Sequence, residues 1–173
     1  LIPKRNDKYK WTGVLPGNTS ETLWTEYYKT VELPQVINPE SGYIYNANHS
    51  PFKSTSLDEN PNPNDFATNM GFETFDNNRS TRIFELVESY DAIDYEAFKT
   101  IKYDNKFPTP FNYNFMNINN IMEMSPENYP EISDILEQIQ KWDRITDANS
   151  TGAGAYAMFY YTLADKYFYK SYY

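Results

Sequence analysis

The chain contains no cysteine. That excludes disulfides and thiolate-bound metals. It leaves the compartment open, because exported proteins also do without cysteine. Histidine is nearly absent too, with His49 the only one. A histidine-rich zinc site is therefore excluded, as is a Ser-His-Asp triad built around any other histidine. Positive charge is in short supply: 15 Lys and Arg stand against 24 Asp and Glu, a net charge of −9. Phosphate binding needs a basic stripe, so neither nucleic acid nor an anionic membrane surface is expected as a partner. No run approaches the roughly 18 apolar residues of a membrane-spanning helix, so no membrane insertion is expected. No signal peptide is visible. There is no internal repeat and no charge block. The chain opens at Leu1 rather than Met, so further sequence is expected upstream.

What is present is an aromatic-rich globular composition. Of 173 residues, 40% are hydrophobic and 18% aromatic, with 17 tyrosines. One domain with a real core is the expectation for this length. So many half-polar rings point to a core with wet edges, or to a surface meant to be covered by more protein.

The chain reads as an irregular front and a helical back. Residues 1–52 look extended, 53–78 form a long loop, and 79–173 form a helical, compact unit. In the front segment, Lys10 to Gly17 reads as an extended piece ending in a turn. Gln35-Val36-Ile37 suits a strand, Asn38-Pro39-Glu40-Ser41-Gly42 is turn chemistry, and Tyr43 to Asn48 alternates like a second strand. This predicts a small β-hairpin, with Ile44, Asn46 and Asn48 on one face. Pro61, Pro63 and many Asn, Asp and Ser mark the long loop. Four helices are predicted behind it. The first spans 79–90, with Ile83, Leu86, Val87 and Tyr90 on one stripe. The second spans 94–103, capped by Asp94. The third spans 130–142, carrying Ile132, Ile135, Leu136, Ile139 and Trp142. The last spans 152–171, with Tyr156, Tyr160, Leu163, Ala164, Tyr167 and Phe168 on one face and Lys166 and Lys170 near its end. The fold class is mostly α.

Few residues stand out as candidates for chemistry. Asn48 is a neutral amide, unfit as nucleophile or base but able to donate to a developing oxyanion. The competing reading is that Asn46 and Asn48 merely satisfy neighbouring turn backbone. Arg79 lies on the apolar stripe at a helix N-terminus, where a cation is disfavoured. It either has a specific partner or snorkels over the helix start. His49 should point away from Asn48 as a surface or packing residue. Asp58, Glu59 and Asp65 supply hard oxygen donors that could suit calcium, but their spacing fits no EF-hand and a solvated loop is the favoured reading. Trp142-Asp143 reads as packing plus a cap. The sequons at Asn18, Asn78 and Asn149 are too common to weigh.

Leu33 to Phe52 contains N-P-x-x-G-x-x-x-N-x-N-x-x-P, from Asn38 to Pro51. This resembles a long signature of the penicillin acylase family. Trp11-Thr12-Gly13-Val14-Leu15-Pro16 is similar to that family's W-x-G-x-x-P segment, and Arg79-Ser80-Thr81-Arg82-Ile83 to its R-x-x-R-I helix start. The Trp142-Asp143 helix and the stretch from Ser150 to Ala157 are also similar, so the resemblance covers nearly the whole chain.

The resemblance implies an N-terminal-nucleophile hydrolase of αββα architecture, made as a self-cleaving precursor, of which this chain is an internal piece of the large subunit. A serine exposed by that cleavage attacks an amide carbonyl, with its own α-amine as base. The family's oxyanion-hole asparagine falls on Asn48, and an arginine that orients active-site groups falls on Arg79. The nucleophile and its backbone oxyanion partner are expected upstream of Leu1, so the isolated chain should be inactive. The partners implied are the rest of the precursor and a small-molecule amide: a penicillin, an N-acyl homoserine lactone or a lipopeptide. A periplasmic or secreted bacterial location is implied. No cofactor is expected, with calcium at Asp58 or Glu59 the one exception considered. His49 departs from the family, which usually has Asn there. The alternative function is a non-catalytic, aromatic-rich binding module of a bacterial surface protein.

Overall fold

The computed structural model describes residues 1–113 and 116–167. The chain divides into two compact units, Leu1–Asp76 and Asn77–Tyr173.

The first unit is held by turns and side-chain clips rather than by a sheet. Among the described residues there is no β-strand, only the isolated bridges Pro3–Tyr27 and Lys106–Ile145. The predicted hairpin is therefore wrong. Asn38, Gly42 and Asn48 all take positive φ, at 49°, 78° and 56°. A strand cannot pass through the left-handed region, and Asn and Gly are the residues that enter it at least cost. The backbone of the alternating stretch also finds other partners. Tyr45 N–H donates to Ser54 O at 2.9 Å, and the Thr55 hydroxyl donates to Tyr43 O at 2.8 Å. The long loop folds into single 3-10 turns at Leu57–Glu59, Pro63–Asp65 and Thr68–Met70. Its start is shut by Asn60. The Asn60 side-chain oxygen accepts from Ser54 and Thr55 N–H at 2.7 and 3.1 Å, and its nitrogen donates to Thr55 and Ser56 carbonyls at 3.0 and 2.8 Å. A small core of Ala47, Phe52 and Met70 lies beneath. Phe66 and Phe72 close on Phe52, at 5.5 and 6.1 Å between ring centres.

The second unit is helical, as the apolar spacing predicts. Helix α1 spans Asn78–Val87, α2 Tyr95–Lys102, α3 Ser133–Gln140 and α4 Thr151–Tyr167. Asp94 caps α2 by accepting from Ala97 N–H at 2.8 Å. Helix α3 is shorter than predicted, because Pro130–Ile132 forms a 3-10 turn ahead of it. The predicted continuation of α4 through Phe168 and Lys170 to residue 171 lies outside the described residues.

The core of this unit gathers Phe111, Ile118, Ile121, Leu136, Ile139, Trp142 and Tyr156. Tyr156 stacks on Phe111 and on Trp142, each at 4.9 Å between ring centres. Its hydroxyl shares a 2.7 Å hydrogen bond with that of Tyr113, and burial pushes both phenols above their ordinary range. Gln140 donates to Ile121 O and Met124 O at 2.9 and 2.7 Å, pinning the 3-10 segment to α3. Gly152 lets α4 approach Trp142, for a Cβ there would stand 2.3 Å from Trp142 Cβ. No described helix is long and apolar enough to cross a membrane.

Candidate active site

Asn48 occupies a left-handed position, φ 56°, in the turn between Tyr45 and Phe52. This conformation costs about 1–2 kcal/mol for an ordinary L-residue and less for asparagine. Two neighbouring side chains hold it. The Asn46 side-chain oxygen accepts from Asn48 N–H at 2.8 Å. His49 Nδ1 accepts from Ala47 N–H at 3.1 Å. Asn46 thus satisfies turn backbone, as one of the two readings of that residue requires. Asn48 itself is exposed, and Ala47 before it is buried.

His49 is half-buried and does not merely face solvent. Its Nε2 lies 2.6 Å from Lys53 O, and its ring stacks on Tyr45 at 4.9 Å and 16°. Just beyond, Ser50 is fully buried and donates its N–H to Phe75 O at 3.2 Å. Lys53 pairs with Asp76 at 2.6 Å. The turn carrying Asn48 is therefore anchored on both sides within the first unit. The exposed Asn48 side chain stands on a fixed backbone. A neutral side-chain amide carries N–H groups able to donate to an anion.

Arg79 belongs to the second unit, in the first turn of α1, and is exposed. That turn is fixed by a reciprocal cap. Asn77 accepts from Ser80 N–H at 3.0 Å, and Ser80 Oγ accepts from Asn77 N–H at 2.9 Å. The cap compensates for an arginine at the positive end of the helix. The second arginine of the R-x-x-R-I match has a different task. Arg82 grips Asp104 through two hydrogen bonds, Nε to Oδ1 at 2.9 Å and Nη2 to Oδ2 at 2.8 Å, and reaches Glu85 at 3.0 Å. The Arg82 guanidinium holds the Asp104 carboxyl below the usual range.

The calcium candidates do not converge. Ser41, followed by the backbone N–H of Glu40, holds the Glu59 carboxylate and lowers its pKa. Asp58 and Asp65 are exposed on separate 3-10 turns. Among the described residues no group of three or more His, Asp or Glu comes together as a metal ion would need.

Sequence reasoning foresaw that Asn46 could satisfy turn backbone but missed the inward role of His49, the Asp104 partner of Arg82, and Arg144. The last takes φ 66°, donates to Pro108 O at 2.6 Å and covers the Phe111 ring at 4.3 Å. The N-A-N spacing held the signal for Asn46 alone, since asparagine side chains accept from backbone two residues on. Nothing in the local sequence foretells the two arginine contacts, whose partners lie 22 and 36 residues away.

No solved structure matches the chain. The family model described as penicillin amidase matches residues 1–172. The asparagine-bearing turn and the capped arginine helix thus lie in a sequence recognised from end to end, and the chain belongs to the penicillin amidase family of amide-hydrolysing enzymes.

Proposed function

We propose that the chain is the part of an N-terminal-nucleophile amidohydrolase that supplies the side-chain donor of the oxyanion hole, Asn48. The nucleophile in this reading is a serine at the N-terminus of the mature large subunit, in sequence outside these 173 residues. Its hydroxyl oxygen bonds to the amide carbon while its α-amine takes the hydroxyl proton. The carbonyl π pair moves onto oxygen, and the Asn48 side-chain N–H donates to that anion. Collapse breaks the C–N bond, the proton passes to the leaving amine, and water then hydrolyses the acyl-serine. Arg79 orients active-site groups. The substrates are side-chain amides of the penicillin, N-acyl homoserine lactone or lipopeptide kind. The whole enzyme is read as an αββα protein cut from a precursor and located in the periplasm or outside a bacterial cell.

The observation that supports this most is the left-handed turn at Asn48, with Asn46 and His49 fixing the backbone on either side. The test uses the full-length, self-processed protein with chromogenic N-acyl amides of several chain lengths. Asn48→Gly keeps the backbone conformation and removes the amide, and kcat is expected to fall about 100- to 1,000-fold. Asn48→Ala should fall as far and lose some stability besides. Wild-type kcat in Asn48→Gly, with processing intact, would overturn the assignment.

A further inference from the structure

We infer that His49 is a positioning residue for Asn48, setting the oxyanion donor through the backbone of the turn rather than by touching substrate. The inference rests on the reading of Asn48 given above and deepens it.

The ring is fixed on three sides. Nδ1 faces the Ala47 N–H, a donor, at 3.1 Å, so that nitrogen must carry a lone pair. The single proton of the neutral ring then sits on Nε2, which faces the Lys53 carbonyl at 2.6 Å. One ring face lies on Tyr45, nearly parallel at 16°. Each of these contacts is itself anchored. Tyr45 donates its N–H to Ser54 O at 2.9 Å, Lys53 donates its N–H to Ser50 O at 3.2 Å, and Ala47 is buried. The imidazole therefore bridges residues 45, 47 and 53 around a backbone at φ 56°. The Asn46 side chain adds a hydrogen bond of 2.8 Å from Asn48 N–H. Without the imidazole, the Ala47 N–H loses the His49 acceptor beside the left-handed residue, and the turn is held less tightly. Small displacements of a group that meets the transition state cost rate steeply, as much as about 100-fold for about 1 Å.

The experiment again uses the full-length processed enzyme, with active sites titrated so that rates refer to competent protein. His49→Ala is expected to lower kcat about 10-fold with KM within about 2-fold, the split expected of a group that acts on the transition state. His49→Phe keeps the stack on Tyr45 and loses both hydrogen bonds, and should match His49→Ala. His49→Asn places an oxygen where Nδ1 stood and restores the acceptor for Ala47 N–H, so it should recover most of kcat. If His49→Ala does not process, the other two variants decide by the same comparison. Wild-type kcat in His49→Phe, or His49→Asn no better than His49→Phe, overturns the positioning role. If Asn48→Gly also keeps wild-type kcat, it is the reading of Asn48 that has failed; a large loss there beside a normal His49→Phe isolates the failure to His49.

Discussion

Gly152 sits where the first turn of α4 presses on Trp142. A methyl group there would meet Trp142 Cβ at 2.3 Å, Cγ at 2.6 Å and Gln138 O at 2.8 Å. These are the stiff base of a side chain and a backbone carbonyl, so none can swing aside. Alanine would gain about 1 kcal/mol of helix propensity over glycine. Forced overpacking commonly costs about 1–3 kcal/mol, and a clash this close places it at the upper end. Gly152→Ala is therefore expected to destabilise the second unit by ~1–2 kcal/mol net, read as a lowered urea midpoint with unchanged slope. A midpoint at or above wild type would show that α4 can shift at no cost. Asn48 poses the opposite case at the same scale. Its residue type and its neighbours announced a possible donor, and its left-handed backbone is what an asparagine-rich turn permits. The sequence held no sign that His49 would turn inward to meet Ala47 N–H and Lys53 O, because alternation placed it on the far face.

Elements were legible where the apolar period was long. Leu136, Ile139 and Trp142 recur at helical spacing and are all buried. Asp94 announced the start of α2, and it does cap it. The hairpin failed because six alternating residues, 43–48, carry no information about which partner their backbone will choose. Side chains of Thr55 and Asn46 and the Ser54 carbonyl took those hydrogen bonds first. The 3-10 turns of residues 57–70 were invisible for a related reason, since a single turn has no period to read. What joins α1 to the segment after α2 was equally hidden: the two-pronged Arg82–Asp104 pair, with both side chains largely covered, at 23% and 18% exposure. Asp104 ionises more readily in the folded chain than in the unfolded one. Its contribution is thus complete above the unfolded value, about 3.9, and is lost as pH falls through the lower folded value. Asp104→Asn is expected to cost ~1–2 kcal/mol at neutral pH, because a bidentate, partly buried pair outweighs an ordinary surface one. The gap between variant and wild type should begin to narrow near about pH 4 and close only as pH falls through the lower folded value, where the wild-type carboxyl also becomes neutral. Denaturation curves at neutral and acid pH check it, and a gap constant with pH would mean that packing rather than charge holds this joint.

For the whole molecule, family membership was readable from end to end, and the surface explains why the fold is hard to picture alone. Each unit leaves large apolar side chains in solvent: Val14, Val31 and Leu57 in the first, Met158, Tyr161 and Tyr167 in the second. Helix α4 is apolar nearly all round, and a groove of about 530 Å³ beside it is walled by Ile135, Met158, Phe159 and Leu163. Helices of that composition are normally covered on every side. The purified 173-residue chain is therefore expected to self-associate despite its charge of −9, and, with the nucleophile proposed to lie outside it, to hydrolyse no amide. Sedimentation across a concentration series and an N-acyl amide assay check both. Turnover by the isolated chain that disappears in Asn48→Ala would place a complete catalytic set within it. The loop that follows the Asn48 turn has one more property, and it concerns time. The four hydrogen bonds that shut it all pass through the Asn60 amide, and the next residue is Pro61. An asparagine ages to aspartate by cyclising onto the nitrogen that follows it, and proline has no N–H to offer. The latch is thereby spared that route of slow chemical decay.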